Sequence, residues 1–299
     1  MTGHGAPDPR GALSRITPDG VLRAVGLVRR GQVITLSHSL DWPPRSAGGD
    51  GRLKRPALRR ETIVNNSVFA LPDGRYGVSN DDVLHLAMQG SSHWDSLAHF
   101  GVIEPGAQGV FYGGAGLDEV DEEAGARTLD IAAFAGGIVT RALVFDMVEF
   151  LGRAAEGFLT DETRITDAHL ADYLARRQLR LETGDAALIY TGFYRRWVAN
   201  GNAIPTAIAG LDRTSMRIWS ESGIAALASD NPTLDAVPMD YSIHVEALRG
   251  LGILLGEYWA LEELVSACRD DGVYECLLMS APLNVPGAFG SPCNALAVR

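Results

Sequence analysis

Several features that would classify the chain at once are scarce or missing. Its 299 residues include three cysteines, Cys268, Cys276 and Cys293. They form no CxxC or CxxH pattern, and an odd number argues against a disulfide framework, so a reducing cytoplasm fits. No apolar run is long enough to span a bilayer, and Met1 to Arg10 is polar, with glycine and proline where a secretory leader would carry an apolar core. We expect no membrane partner. Positive charge is in short supply too: 26 Lys and Arg stand against 37 Asp and Glu, a net charge of −11. That is the wrong sign for a protein whose main partner is a phosphate backbone, which excludes nucleic acid in that role. The one basic run, Arg52, Lys54, Arg55, Arg59 and Arg60, is flanked by proline and glycine and reads as a solvated loop. The chain also lacks a GxGxxG after a strand, a GxxxxGK[ST] and a Gly-x-Ser-x-Gly elbow, so a phosphate cradle and an activated serine both lack support.

What remains is an ordinary globular composition, 46% hydrophobic and 21% charged, suited to an enzyme or small-molecule binder. Residues 1–15 are expected to be disordered and residues 16–299 to form one domain, since no repeat or linker divides them. Thr17-Pro18 opens a predicted amphipathic helix through Val28, with Gly31 as its stop. Val33 to Ser37 reads as a strand, and Asp41 to Arg60 as a long loop of the kind that often covers a site. Thr62 to Leu71, the turn Pro72-Asp73-Gly74 and the strand after it predict a hairpin. Glycine-rich 101–116 is expected to border the site. From residue 140, strands and helices alternate, and the fold class is α/β. Two strand ends there stand out. Asp230, closing Ile224 to Ala228 in Ser229-Asp230-Asn231-Pro232, is a candidate pocket residue, although plain turn chemistry explains it equally well. Glu257 closes the strand from Ile253, where a carboxylate is costly to bury unless paired or bound to a cation.

The stretch richest in chemistry is Gln89-Gly90-Ser91-Ser92-His93-Trp94-Asp95-Ser96-Leu97-Ala98-His99. It follows an apolar run, Val83, Leu84, Leu86, Ala87 and Met88, that reads as a buried strand. If that strand continues through Asp95, His93 and Asp95 share a face, because side chains alternate with period two, and both can reach one metal ion. His99 lies past the strand end, either as a further ligand or as an uncoordinated general acid/base. Trp94 and Tyr112 are candidates to stack on an aromatic substrate, with simple packing as the competing reading.

The segment resembles the signature His-x-Gly-Thr-His-x-Asp-x-Pro-x-His of the cyclase family of metal-dependent hydrolases, which includes bacterial kynurenine formamidase and isatin hydrolase. Gln89 replaces the first histidine, Ser91-Ser92 replaces Gly-Thr, and Leu97 replaces the proline. A second motif of the family, a histidine followed after a Gly-x-Gly turn by a strand-ending glutamate, is similar to His244, Gly250-Leu251-Gly252 and Glu257. The resemblance implies a swivelling β/β/α domain, assembled as a homodimer or higher homo-oligomer. It implies His93, Asp95, His244 and Glu257 as ligands of Zn²⁺ or Mn²⁺, and His99 as proton shuttle. Gln89, a neutral amide, is a poorer zinc ligand than imidazole, so one ion per chain is expected. The expected reaction is hydrolysis of an amide, lactam or ester bond of a small molecule. The alternatives are a polyketide-type ring cyclase or dehydratase at the same metal site, and a non-catalytic metal- or ligand-binding protein.

Overall fold

Short apolar runs separated by helices build the centre of the molecule. The structure, a computed structural model, describes residues 8–44, 55–106 and 109–299. Its strands are β1 Val33–Thr35, β2 Arg59–Ala70, β3 Tyr76–His85, β4 His93–Asp95, β5 Val120–Asp121, β6 Gly125–Ala126, β7 Ile138–Asp146, β8 Arg164–Ile165, β9 Ala186–Tyr190, β10 Gly210–Leu211, β11 Ala226–Ser229, β12 Leu254–Glu257, β13 Glu275–Ser280, β14 Gly290–Pro292 and β15 Leu296–Val298. Nine of them form one sheet in the order β1-β15-β13-β7-β9-β11-β12-β4-β14. Its middle, β7-β9-β11-β12, is parallel, and the strands on both flanks join antiparallel. Parallel neighbours require crossovers, here carried by the helices Asp167–Arg177, Met216–Ser222 and Ser242–His244, the last continuing as a π-helix over Val245–Leu251. Buried on both faces, β9, β11 and β12 are apolar along their length except at the C-terminal ends of β11 and β12, Ser229 and Glu257. The α/β class is therefore as expected from the alternation.

Local signals start and seat the helices. The Thr166 hydroxyl accepts the His169 N–H while His169 Nδ1 accepts the Thr166 N–H, a reciprocal cap that starts the Asp167–Arg177 helix. Tyr173 on that helix donates its hydroxyl to the Val144 carbonyl of β7, fixing the helix on the sheet. Thr17 caps the helix Pro18–Val25, but the stop is Gly26, one turn before Gly31. The core gathers Trp94, Trp219, Trp259 and Phe145, all fully buried. The three cysteines are buried and unbridged. Among the described residues no helix is long and apolar enough to cross a membrane.

Two expectations change. Gly11–Arg15, assigned to a disordered start, is a 3-10 turn with Ala12 and Leu13 buried, tied down by the Ala12 N–H bonding to the Gly252 carbonyl. Residues 1–7 lie outside the described residues, as do 45–54 of the long loop. The apolar run Val83 to Met88 is not a buried strand: Val83 and Leu84 are exposed in β3, which among the described residues pairs only with β2, in a ribbon apart from the main sheet. β4 is a separate strand. An apolar run shows that a strand is favoured, not which sheet receives it.

Candidate metal centre

β4 is only three residues long, and alternation decides its chemistry. His93 pairs with Glu257 of β12 and Trp94 with Gly256. On the other side Asp95 pairs with Gly290 of β14. Residues opposite one another across a ladder share a face, so His93, Asp95 and Glu257 emerge together while Trp94 points into the core. Glycine at 256 makes room there, since a Cβ would meet Trp259 Nε1 at 2.7 Å. The three candidate ligands place donor atoms within 4.8 Å of one another, and all three residues are buried.

His93 Nε2 lies 3.4 Å from Asp95 Oδ1 and 3.4 Å from Glu257 Oε2. Its Nδ1 is 2.7 Å from the Ser91 carbonyl. A carbonyl only accepts, so Nδ1 carries the hydrogen and the Nε2 lone pair of the neutral ring faces the carboxylates. His244 arrives from the Ser242–His244 helix with Nε2 3.2 Å from Glu257 Oε1. Its Nδ1 is held by Asp235 Oδ2 at 2.7 Å, and Asp235 in turn accepts the Ile243 N–H at 3.1 Å. His99 Nε2 stands 3.6 Å from Asp95 Oδ1.

Burial pulls the pKa of His93 down, but the adjacent Asp95 and Glu257 outweigh it and hold the ring at about 9. For His244, burial is likewise overcome, by Asp235 and Glu257, and the value rises to about 10. Glu257, despite its burial, is driven well below the carboxylate range by the two histidines. His99 is lowered, because burial dominates the pull of Asp95 and Glu257.

The arrangement fits a divalent cation. His93 Nε2 and both Asp95 oxygens are buried without a hydrogen-bond partner, and an uncompensated buried carboxylate is costly. A cation bridging the cluster would satisfy all three atoms, and mixed imidazole and carboxylate donors suit a borderline or hard divalent ion. A histidine ligand is a neutral ring, so the protons retained up to about 9 and 10 would have to leave before either ring could hold a cation. Apparent metal affinity is therefore expected to rise with pH, about tenfold per unit for each proton released, between about pH 6 and 8. Calorimetry in buffers of different ionisation enthalpy would count the protons, and a flat pH profile would contradict the protonated state of the two rings before binding.

Comparison with known proteins bears on this geometry. The model of the cyclase family, described as "Putative cyclase", matches residues 34–236. This chain belongs to the cyclase family. Among solved structures, one described as a novel cyclase is 29% identical, with TM-score 0.84, covering 99% of this chain and 96% of its own. Isatin hydrolase A from Labrenzia aggregata is 19% identical, with TM-score 0.63, over 92% of this chain and 94% of its own. A "predicted metal-dependent hydrolase" from Bacillus stearothermophilus is 17% identical, with TM-score 0.52, over 89% and 97%. None of the curated proteins compared matches the chain.

Other residues of this cyclase-family chain fall differently from expectation. Gln89 turns its side-chain amide against Gly290, where a Cβ would meet Nε2 at 2.5 Å, and its backbone carbonyl accepts from the Arg55 guanidinium at 3.0 Å. It thus lies beside the backbone that pairs with Asp95. Trp94 is no pocket residue: it is fully buried, packs edge-on against Trp259 and donates Nε1 to Ser280 at 2.9 Å. Tyr112 packs on the core and on Gly252, at the far end of the helical segment that begins near His244. Asp230 is spent on structure, accepting from the Thr191 N–H and hydroxyl and the Phe193 N–H, each at 2.8 Å. Burial lifts its pKa to about 6.

In their place, the rings near the centre are Phe100, 5.4 Å from His244 and stacked on the exposed Tyr241, and Tyr258, 6.5 Å from His93. Phe100 and Tyr258 each directly follow a site residue, the one local signal that pointed to them. Asp235 had none. We expect Asp235→Asn to weaken metal affinity about 10–100-fold while the fold persists, since the His244 ring loses the carboxylate that orients it. Competition against a chromophoric chelator measures this, and an unchanged affinity would remove His244 from the ligand set.

Proposed function

We propose that this protein is a divalent-metal-dependent hydrolase that cleaves an amide, lactam or ester bond of a small, ring-bearing molecule. His93, Asp95, His244 and Glu257 would hold one Zn²⁺ or Mn²⁺. When bound, the ion lowers the pKa of water and polarises the scissile carbonyl. The rest falls to the chain itself. Asp235 fixes the His244 tautomer, and the Ser91 carbonyl fixes that of His93. Phe100 and Tyr241 provide apolar surface against which a ring packs.

The observation that carries the reading is the division among three imidazoles. The side chains of His93 and His244 are 0% and 7% exposed, whereas that of His99 is 23% exposed. Of the three it alone has a lowered pKa, so it is neutral at pH 7. His99 Nε2 can then take a proton from the attacking water and deliver it to the leaving nitrogen or oxygen. A non-catalytic binding site has no use for such a group. A second reading, favoured by the 29% identical neighbour described as a cyclase, keeps the site and lets His99 move a proton to or from a carbon acid in ring closure or dehydration, with no water consumed.

Incubating the metal-loaded protein with an N-formyl aromatic amine and with a poly-β-carbonyl analogue separates the two. Formate release supports hydrolysis, a cyclised product supports the second reading, and turnover of neither across a panel of amides, lactams and esters counts against both. The three unbridged thiols fit a reducing cytoplasm as the place of action.

A further inference from the structure

We propose that the chain carries a second ligand site, for a small protonated amine, in the cavity walled by the rings of His38, Trp42 and Tyr194 and flanked by the carboxylates of Asp41 and Glu262. The cavity measures about 420 Å³. It lies at the edge where the parallel strands end, the edge at which α/β sheets receive ligands. The helix Phe193–Ala199, which carries Tyr194, follows β9, and the helix that opens with Glu262 follows β12. Asp230, just past β11, fixes the first of these helices by accepting the Phe193 N–H at 2.8 Å. The Ala260 N–H bonds to the Leu36 carbonyl at 2.9 Å, which brings the start of the second beside the His38 segment. The cavity and the metal centre are neighbours joined through Tyr258, whose buried ring lies 6.5 Å from that of His93 and 5.6 Å from that of Trp42.

The lining selects a cation. Ring centroids of His38 and Trp42 are 3.9 Å apart, those of Trp42 and Tyr194 5.7 Å and those of His38 and Tyr194 5.5 Å, so three rings cluster in one wall. Indole and phenol faces attract an ammonium group within about 6 Å. Glu262 supplies the opposite charge. Its Oε1 is buried with no hydrogen-bond partner, and burial, with the nearby Asp230 charge, lifts its pKa to about 7. A carboxylate held in this way is costly, and a cation beside it offsets the cost. His38 is fixed by its backbone N–H, which donates to Ser92 Oγ at 2.8 Å, and its Nε2 is also buried without a partner. Burial lowers its pKa to about 4, so the ring is neutral at pH 7 and offers one nitrogen as an acceptor. Asp41 is exposed at the rim. A metal ion fits less well: among the described residues the one group of three donors close enough to share an ion is His93, Asp95 and Glu257. An anion would face two carboxylates in a chain of net charge −11. What remains is an amine on an apolar frame, the ammonium toward Glu262 and the frame against Trp42 and Tyr194.

Calorimetry of the full chain, its metal removed by chelation, should show benzylammonium binding saturably, and benzyl alcohol, its uncharged analogue, binding at least about tenfold more weakly. Glu262→Gln keeps the shape and loses the charge, and should weaken benzylammonium about tenfold while leaving benzyl alcohol unchanged. Asp41→Asn, at an exposed position, should weaken it by a smaller factor with an unchanged melting curve. Equal affinity for the two compounds, an amine affinity that either variant leaves intact, or binding that appears only once metal is restored would each overturn the site. The chelated protein suffices for every arm, so this inference and the hydrolase reading fail separately.

Discussion

Glu257→Ala is expected to lower the stability of the metal-free protein by about 3–5 kcal/mol and to abolish stoichiometric metal binding. Glu257 is 3% exposed and lies between two imidazoles, 3.4 Å from His93 Nε2 and 3.2 Å from His244 Nε2. Both rings hold their protons past neutrality, at about 9 and 10, in part because of this carboxylate, so deleting it leaves each buried ring either to stay charged beside Asp95 or Asp235 alone or to give up its proton, and both routes cost stability. Truncation removes a counter-charge whose desolvation is already met, which is why the loss exceeds that of a surface ion pair. Glu257→Gln keeps the shape and loses only charge, and should fall between wild type and alanine. Urea denaturation of the chelated proteins reads the first effect and elemental analysis the second. A stability change under about 1 kcal/mol, or metal retained at one ion per chain, would show that Glu257 is not the hinge of the cluster.

His99→Ala is expected to reduce turnover of an identified substrate by about 10²–10⁴-fold while leaving metal content and melting temperature near those of the wild type. The two variants thus separate the holding of the ion from the handling of the proton. His99 touches the cluster at one point, Asp95 Oδ1 at 3.6 Å, and its side chain is partly open to solvent. The pH profile supplies an independent check. Catalysis as base requires the neutral ring, whose pKa burial lowers from its usual 6.5. Activity should therefore hold through neutrality and fall only as the pH drops through that lowered value, and the limb should vanish in His99→Ala. Unchanged turnover in the variant would remove the proton shuttle and with it the case for hydrolysis.

How much of this was legible in the sequence depends on the range of the interaction. Capping at Thr17, the hairpin turn at Pro72-Asp73-Gly74 and the alternation after residue 140 are local, and each is found where it was read. The shared face of His93 and Asp95 follows from period two even though the strand proved shorter and differently placed than expected. Glu257 was readable as a carboxylate at the end of an apolar strand. What resisted reading depends on partners distant along the chain. Asp235 follows Asn231-Pro232-Thr233-Leu234, a segment that looks like plain turn chemistry, and only folding brings it to His244. Trp94 stood open between stacking on a substrate and simple packing because the sequence does not say which face of β4 meets Trp259. Val83 and Leu84 looked buried because apolar character shows what a side chain prefers, not what it obtains. β14, Gly-Ser-Pro, resembles no strand at all and is held by its pairing with β4.

Brevity in β4 divides labour between neighbouring residues. Odd positions, 93 and 95, face the centre, while position 94 anchors the strand through the Trp94–Trp259 contact and the bond to Ser280. Sliding β4 by one residue would drive an indole into the polar cluster and a carboxylate into the core, so the spacing of the donors is locked by hydrophobic packing rather than by the ion. The donor set is in this sense interchangeable: a different pair of side chains at 93 and 95 would inherit the same rigid placement. The scaffold is thus a fixed socket in which chemistry can be rewritten at two positions without reopening the question of the fold.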